Sequence, residues 1–146
     1  MSWTPWKAAE KQVSEFFGGK RRVRINYSDF AGDIEHPRLA IEVKQGKQIP
    51  SYLNAKFPTV IRALAKSYVI YPAHKTQEMV DVIKSGNAHC FETRVRKDAK
   101  FLLDGLRQAS AYPENTGKIP ILAMKPPRCR GFIVAMSLYD WFDLYL

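Results

Sequence analysis

The chain has 146 residues, of which 46% are hydrophobic and 12% aromatic; this composition is typical of a folded globular protein and excludes a disordered one. Its length predicts a single domain over residues 1–146. The sequence has no apolar run long enough to cross a membrane and no signal peptide, so we expect a cytoplasmic protein. The 23 Lys and Arg residues against 14 Asp and Glu give a net charge of +9, which favours a polyanionic partner: nucleic acid first, an anionic membrane surface second.

The first predicted element is a helix from Pro5 to about Phe17, with Thr4 as its N-cap and Gly18-Gly19 at its end. On a helical wheel of about 100° per residue, Glu10 falls inside the apolar stripe. A carboxylate on the core side is costly unless it is paired or binds a cation. Glu10 is therefore a candidate metal ligand, although an edge position that reaches solvent or a lysine would also explain it. The stripe consists of Trp6, Ala9, Val13, Phe16 and Phe17.

A basic segment over residues 20–27 follows this helix and is predicted to be extended, because apolar residues alternate with charged ones along it. Its basic side chains form either a solvated face or a strip that contacts phosphates. The candidate contacts in this segment are Lys20, Arg21, Arg22 and Arg24.

A β-hairpin is predicted for residues 32–46, with Asp33 on its first strand and Leu39–Lys44 as its second. Strand alternation places Glu42 and Lys44 on one face, roughly 7 Å apart along the strand. Two carboxylates beside an ammonium group suit a divalent metal that acts on a phosphodiester. The alternative is a solvated hairpin with a Glu–Lys pair, and Asp29 is the main rival to Asp33 as a ligand.

Residues 47–95 predict a mixture of short elements that either pack on the core or contact a substrate. His74 and His89 are isolated, and Cys90 and Cys129 have no CxxC spacing, so we expect neither a zinc site nor a disulfide here. The predicted elements are a helix from Pro50 through Ala55, a helix from Pro58 through Lys66, a strand over Ser67–Tyr71 and a helix from Thr76 through Lys84.

The C-terminal third begins with a strongly amphipathic helix over Arg96–Tyr112, which has a basic exposed face. Two strands follow, Ile119–Lys125 and Phe132–Met136, and the apolar tail Tyr139–Leu146 either closes the core as a helix or forms a dimer surface. Candidate nucleic-acid contacts in this helix and after the hairpin are Lys47, Arg96, Lys97 and Lys100.

The hairpin resembles the PD-(D/E)xK nucleases of the restriction-endonuclease-like superfamily, with Asp33 as the first acid and Glu42-Val43-Lys44 as the E-x-K half. Gly32 stands where the pattern has proline. Three segments resemble archaeal-type Holliday junction resolvases more closely, and a phage-encoded protein of that type would fit. They are Ala9–Val13 (A-E-x-x-hydrophobic), Ile41–Lys44 (I-E-V-K) and Ile119–Lys125, close to I-P-V-L-A-V-K.

The resemblance, over residues 4–48 and 96–137, implies a restriction-endonuclease-like α/β core with a central mixed sheet flanked by helices. The chain is longer than the family over about 47–95, which would be an insertion. The implied metal ligands are Glu10, Asp33, Glu42 and the carbonyl of Val43, holding Mg²⁺ or alternatively Mn²⁺, without a small-molecule cofactor. Lys44 would complete the catalytic set, with Ser28 and Gln108 as accessory residues.

The implied activity is Mg-dependent endodeoxyribonuclease cleavage of four-way DNA junctions in recombination and repair. The implied partners are branched DNA and a second copy of the chain in a homodimer, with no membrane partner. Two alternatives stay open: another PD-(D/E)xK nuclease of nicking, repair or restriction type, and a non-catalytic nucleic-acid-binding protein.

Overall fold

The computed structural model describes residues 5–21, 34–53 and 56–146, with the side chains of Pro5 and Arg21 excepted. These residues form one eight-stranded mixed sheet with helices on both faces, which confirms the predicted α/β class. The helices are α1 (Pro5–Phe17), α2 (Thr76–Ser85), α3 (Arg96–Ala111) and α4 (Leu138–Tyr145). The strands are β1 (Lys20–Arg21), β2 (Ile34–Glu35), β3 (Leu39–Gln45), β4 (Thr59–Ala63), β5 (Lys66–Pro72), β6 (His89–Thr93), β7 (Ile119–Lys125) and β8 (Ile133–Ser137).

Across the sheet the strands lie in the order β1-β2-β3-β7-β8-β5-β4-β6. The strands β1, β2 and β3 form an antiparallel meander, and β3 then pairs in parallel with β7 over its whole length. The helix α3 comes between them in the chain and packs on both strands. Because α3 leads into the parallel strand β7, it runs opposite to β3, and its first turn lies near the carboxyl end of β3.

Two hydrophobic cores lie on the two faces of the sheet. In the first core, Val13 of α1 packs against the face of β3 that carries Ile41, and Trp141 of α4 belongs to the same core but lies beside β5 and β8. The helix α2 joins this core next to β5. In the second core, Leu102 of α3 packs against Leu122 of β7. The strand β3 is therefore covered on both sides, by α1 on one and by α3 on the other.

The structure confirms most of the elements that the sequence pattern predicted. The helix α1 ends at Phe17, and Gly18 follows with a φ of 74°, a left-handed value that favours glycine. A glycine with a left-handed φ also ends α2, where Gly86 has a φ of 75°. The predictions also match the structure for the hairpin, α3, both C-terminal strands and a closing helix at the apolar tail. Thr4, the predicted N-cap of α1, lies outside the described residues.

Two predictions in the middle of the chain were wrong or incomplete. The helix predicted from Pro58 is instead β4 and its turn into β5, because the β-branched run of Thr59, Val60 and Ile61 favours a strand. The strand β6 was not predicted at all. The helix predicted after Pro50 is a short 3₁₀ turn, Ser51–Leu53, and residues 54 and 55 lie outside the described part.

The segment 47–95 is part of the same sheet. It contributes β5, which pairs with β8, and then β4 and β6, which extend the sheet to its far edge. None of the described helices is both long and apolar enough to cross a lipid bilayer.

Candidate functional site

Glu42 and Lys44 lie on the face of β3 that α3 covers. In the parallel register, Glu42 pairs with Leu122 and Lys44 with Met124, and both partners belong to the core beneath α3. The Glu42 side chain is 9% exposed and that of Lys44 23%, and Lys44 Nζ lies 3.6 Å from Glu42 Oε1. The strand alternation predicted from the sequence therefore brings this acid and this base into contact.

The position of the pair in the sheet fixes its geometry. Because β3 is hydrogen-bonded to β2 on one side and to β7 on the other, its backbone cannot adjust freely. Two opposite charges at this separation attract by about 1 kcal/mol in water and several times more in a protein interior. Burial of a carboxylate has a cost of its own, so the ammonium of Lys44 offsets part of the penalty for keeping Glu42 ionised in the sheet.

Lys44 lines a groove of about 710 Å³ between α3 and the segment that follows β3. Lys97 and Lys100 line the same groove, and so does Gln108, the predicted accessory residue on α3. The groove also contains acids. Asp104 accepts a hydrogen bond of 2.8 Å from Lys100, and this bond, with the nearby positive charges, holds the pKa of Asp104 below its usual value.

The approach of α3 to the sheet depends on Gly105, which also lines the groove. A Cβ atom added at Gly105 would lie only 2.7 Å from Leu122 Cδ2. Because Leu122 pairs with Glu42 in the register of β3 and β7, this close approach sets the distance between the helix and the strand at the level of the Glu42–Lys44 pair.

Glu10 approaches β3 from the other side. Its side chain lies on α1 between the buried Ala9 and Val13, and Glu10 itself is only 9% exposed, as its place in the apolar stripe predicted. Val13 packs with the face of β3 that carries Ile41, which is opposite to the face that carries Glu42. The structure thus confirms that Glu10 is buried and places its helix and the Glu42 side chain on different faces of β3.

Asp33, the third predicted acid, lies outside the described residues, as do Asp29 and Ser28. Over residues 5–21, 34–53 and 56–146, no group of three or more His, Cys, Asp or Glu side chains is arranged to hold a metal ion. A three-acid site therefore requires an acid from outside the described residues, where both Asp33 and its rival Asp29 lie. In the sequence, Asp33 precedes Ile34, which pairs with Ile41, the residue before Glu42.

The predicted nucleic-acid contacts divide into separate groups. On α3 and after β3, Lys47, Arg96, Lys97 and Lys100 are exposed, and two of them line the groove. Lys20 is exposed too, but it pairs with Glu35 at the level where β3 begins, roughly 13 Å along the strand from Lys44. For Arg21 only the backbone is described, and Arg22 and Arg24 lie outside the described residues.

One connection at the carboxyl ends of β3 and β7 was missed by the sequence analysis. Lys125 at the end of β7 donates a hydrogen bond of 2.7 Å to Gln12 Oε1 on α1, and Gln12 Nε2 donates one of 2.8 Å to the carbonyl of Arg130. These bonds join α1 to the turn between β7 and β8, in which Arg128 has a left-handed φ of 65°. The distance of 113 residues between Gln12 and Lys125 leaves no local signal of this contact in the sequence.

Comparisons with known proteins add nothing to these observations: no protein-family model matches the sequence, and no curated protein or solved structure matches it either.

Proposed function

We propose that the chain is a metal-dependent, structure-selective DNA endonuclease that resolves four-way junctions by hydrolysing a phosphodiester in each of two strands. The observation that supports it most is the Glu42–Lys44 contact on a strand held between two others, opening into a groove with Lys97 and Lys100. The buried carboxylate of Glu42 stands two residues before the half-buried Lys44, which is the spacing of the E-x-K pattern that this strand resembles.

The donor set fits a hard divalent cation. Carboxylate and carbonyl oxygens are the ligands that Mg²⁺ and Mn²⁺ prefer, and Glu42, the carbonyl of Val43, Asp33 and Glu10 are the residues proposed to hold the ion. When bound, such an ion supplies Lewis acidity to the phosphate and lowers the pKa of bound water. To hold the ion together with Glu42, the carboxylate of Glu10 would pass the carboxyl end of β3, because α1 covers the opposite face of that strand.

Lys44 carries the chemistry that the chain itself provides. Its ammonium group, steadied by Glu42, would orient the attacking water and offset the negative charge that develops on the phosphate oxygens. Because Lys44 retains partial contact with solvent through the groove, a phosphate can reach it without opening the core.

The groove provides the path for the DNA backbone. Lys97 lies in the first turn of α3, where the helix dipole also favours a phosphate, and Lys100 lies in the second turn. Two equivalent strands of a junction call for two sites related by a two-fold axis, hence the proposed homodimer. The side chains of Tyr139, Phe142 and Leu146 are exposed on and after α4, and they are a candidate for its interface.

The decisive variant is Glu42→Gln, which keeps the shape of the side chain and removes its charge. We expect junction cleavage in Mg²⁺ to fall by about 10²–10³-fold, as for loss of one stabilising group at a reacting phosphate, while junction binding without metal changes little. Glu35→Gln is the matched control, because Glu35 is exposed on the neighbouring strand β2. Wild-type cleavage rates in Glu42→Gln would refute the assignment of Glu42.

The wild-type protein then decides between the alternatives. Its cleavage should be compared on a four-way junction, a flap and a linear duplex of equal length, with Mg²⁺ and with Mn²⁺. Preference for the junction supports the proposal, equal cutting of linear duplex points to another nuclease of the superfamily, and tight binding without cutting in either metal identifies a non-catalytic DNA-binding protein.

A further inference from the structure

We infer that the groove beside Lys44 contains a stacking site for an unpaired nucleobase, formed by the parallel aromatic pair of Tyr52 and Phe91. This inference rests on the proposed function and specifies the substrate further: DNA that presents a base outside the double-helical stack to the same groove that receives the reacting phosphate. Both aromatic residues line the same groove as Lys44, Lys97 and Lys100.

The geometry of the pair leaves an aromatic face available. The two ring centroids are 6.3 Å apart and the ring planes are inclined by only 17°, so Tyr52 lies beside Phe91 with its ring nearly parallel. Phe91 is nevertheless 43% exposed, because it lies on β6, the outermost strand of the sheet, where the first four residues all face solvent. A large apolar ring that is partly open to solvent next to a second, nearly parallel aromatic ring matches the side chains on which bases stack.

The rest of the groove has the chemistry that a nucleotide needs. Its lysines can contact the phosphate, and the side-chain amides of Gln48 and Gln108 offer donors and acceptors to a base edge. The volume of about 710 Å³ lies within the range of roughly 300–1,000 Å³ that is usual for small-ligand sites. A base that remains paired inside a duplex presents only its edges, so this site discriminates in favour of unpaired bases at a branch point.

The first measurement needs no variant. A four-way junction that carries one unpaired 2-aminopurine at its branch point is titrated with wild-type protein in the absence of divalent metal, next to a fully paired duplex with an internal 2-aminopurine. Stacking on Phe91 should quench or shift the emission of the unpaired base on binding, and the paired probe should change much less.

The second measurement uses three variants. Phe91→Ala should weaken binding of the branched probe by roughly five- to one-hundred-fold and leave binding of the paired duplex unchanged. Phe91→Trp, which restores a stacking face, should keep the affinity near that of wild type. Phe57→Ala is the matched control, since Phe57 is 66% exposed and its ring lies near Lys75 instead of in the groove. Thermal unfolding of each variant establishes that it is folded.

The outcomes separate this inference from the proposed function. If the wild-type protein cleaves junctions but Phe91→Ala binds the branched and paired probes as wild type does, and the 2-aminopurine emission is unaffected, the stacking site is refuted alone. If the wild-type protein neither binds nor cleaves any DNA, the proposed function fails and the stacking site fails with it. Equal weakening on both probes would also refute a site for unpaired bases.

Discussion

Replacement of Gly105 by alanine tests whether the close approach of α3 to β7 is as tight as the structure shows. An added Cβ would lie 2.7 Å and 2.8 Å from the two Cδ atoms of Leu122, whereas carbon atoms in contact are about 3.5–4.0 Å apart. Either Leu122 or the helix must therefore move by about 1 Å. Leu122 has no exposed surface and is enclosed by the second core, so its side chain has little room to turn away.

The size of the effect follows from two opposing contributions. Overpacking of a close-packed core typically costs about 1–3 kcal/mol. Alanine favours the helix over glycine by about 1 kcal/mol, which offsets part of that cost. We therefore expect Gly105→Ala to lower the free energy of unfolding by about 1 kcal/mol, which corresponds to a Tm lower by about 2–4 °C for a chain of this size.

Thermal and urea unfolding of the wild type, two single variants and their double variant measure the free energy of the contact between Gly105 and Leu122. Gly105→Ala and Leu122→Ala are made singly and together, because the double-mutant cycle isolates the clash. In the Leu122→Ala background the obstructing atoms are gone, and Gly105→Ala should then raise stability by about 1 kcal/mol. The variants Ser110→Gly and Ser110→Ala, at an exposed position of the same helix, calibrate the helix contribution alone.

The reasoning is refuted if Gly105→Ala stabilises the wild-type protein as much as the step from glycine to alanine does at position 110. In that case α3 would have room at Leu122, and the groove wall next to Lys44 would not be fixed by this contact. An additive double mutant would lead to the same conclusion, since a shared clash requires a coupling energy.

Two further predictions concern the stability of α4 and of the C-terminal end of α3. Burial, together with the negative charge of Asp143, raises the pKa of Asp140, so ionisation of Asp140 opposes folding as pH rises through and above the usual Asp range. In a pH series of melting curves, Asp140→Asn should therefore have a higher Tm than wild type at pH 7, and the two Tm values should converge below about pH 3. Asn115→Ala should lower the free energy of unfolding in urea by about 1–3 kcal/mol, because buried Asn115 donates a hydrogen bond of 2.9 Å to the carbonyl of Ala109 near the end of α3. An unchanged free energy of unfolding would mean that water replaces the amide.

The sequence could predict the local part of the candidate site because local periodicity determines it. Alternation along β3 was sufficient to pair Glu42 with Lys44, and the wheel of α1 was sufficient to predict that Glu10 is buried. Neither pattern says which face of the sheet a helix covers. The wheel could not reveal that α1 lies on the face opposite to the Glu42 side chain, since that depends on how the helices are distributed over the sheet.

The far wall of the groove could not be predicted, for a different reason. The strand β6 lies at the edge of the sheet with four exposed residues, so it has no alternation of apolar and polar positions to identify it. Its Phe91 lies near Tyr52 only in the tertiary structure, in which β7, β8, β5 and β4 separate β6 from β3. Pro58 misled the analysis because proline is compatible with the start of a helix and of a strand alike.

The continuity of the sheet has a consequence for anyone who would shorten this protein. The segment 47–95 supplies β5, whose residues Val69, Ile70 and Tyr71 are wholly enclosed while pairing along β8. Excision of the segment would remove β5 from its place beside β8 and expose β8 as an apolar edge strand. Exposed edge strands pair between molecules, which is a recognised route to aggregation. No smaller folded unit can therefore be obtained from this chain by removing its middle, and the buried Val13 of α1 and Trp141 of α4 restrict truncation at its ends as well.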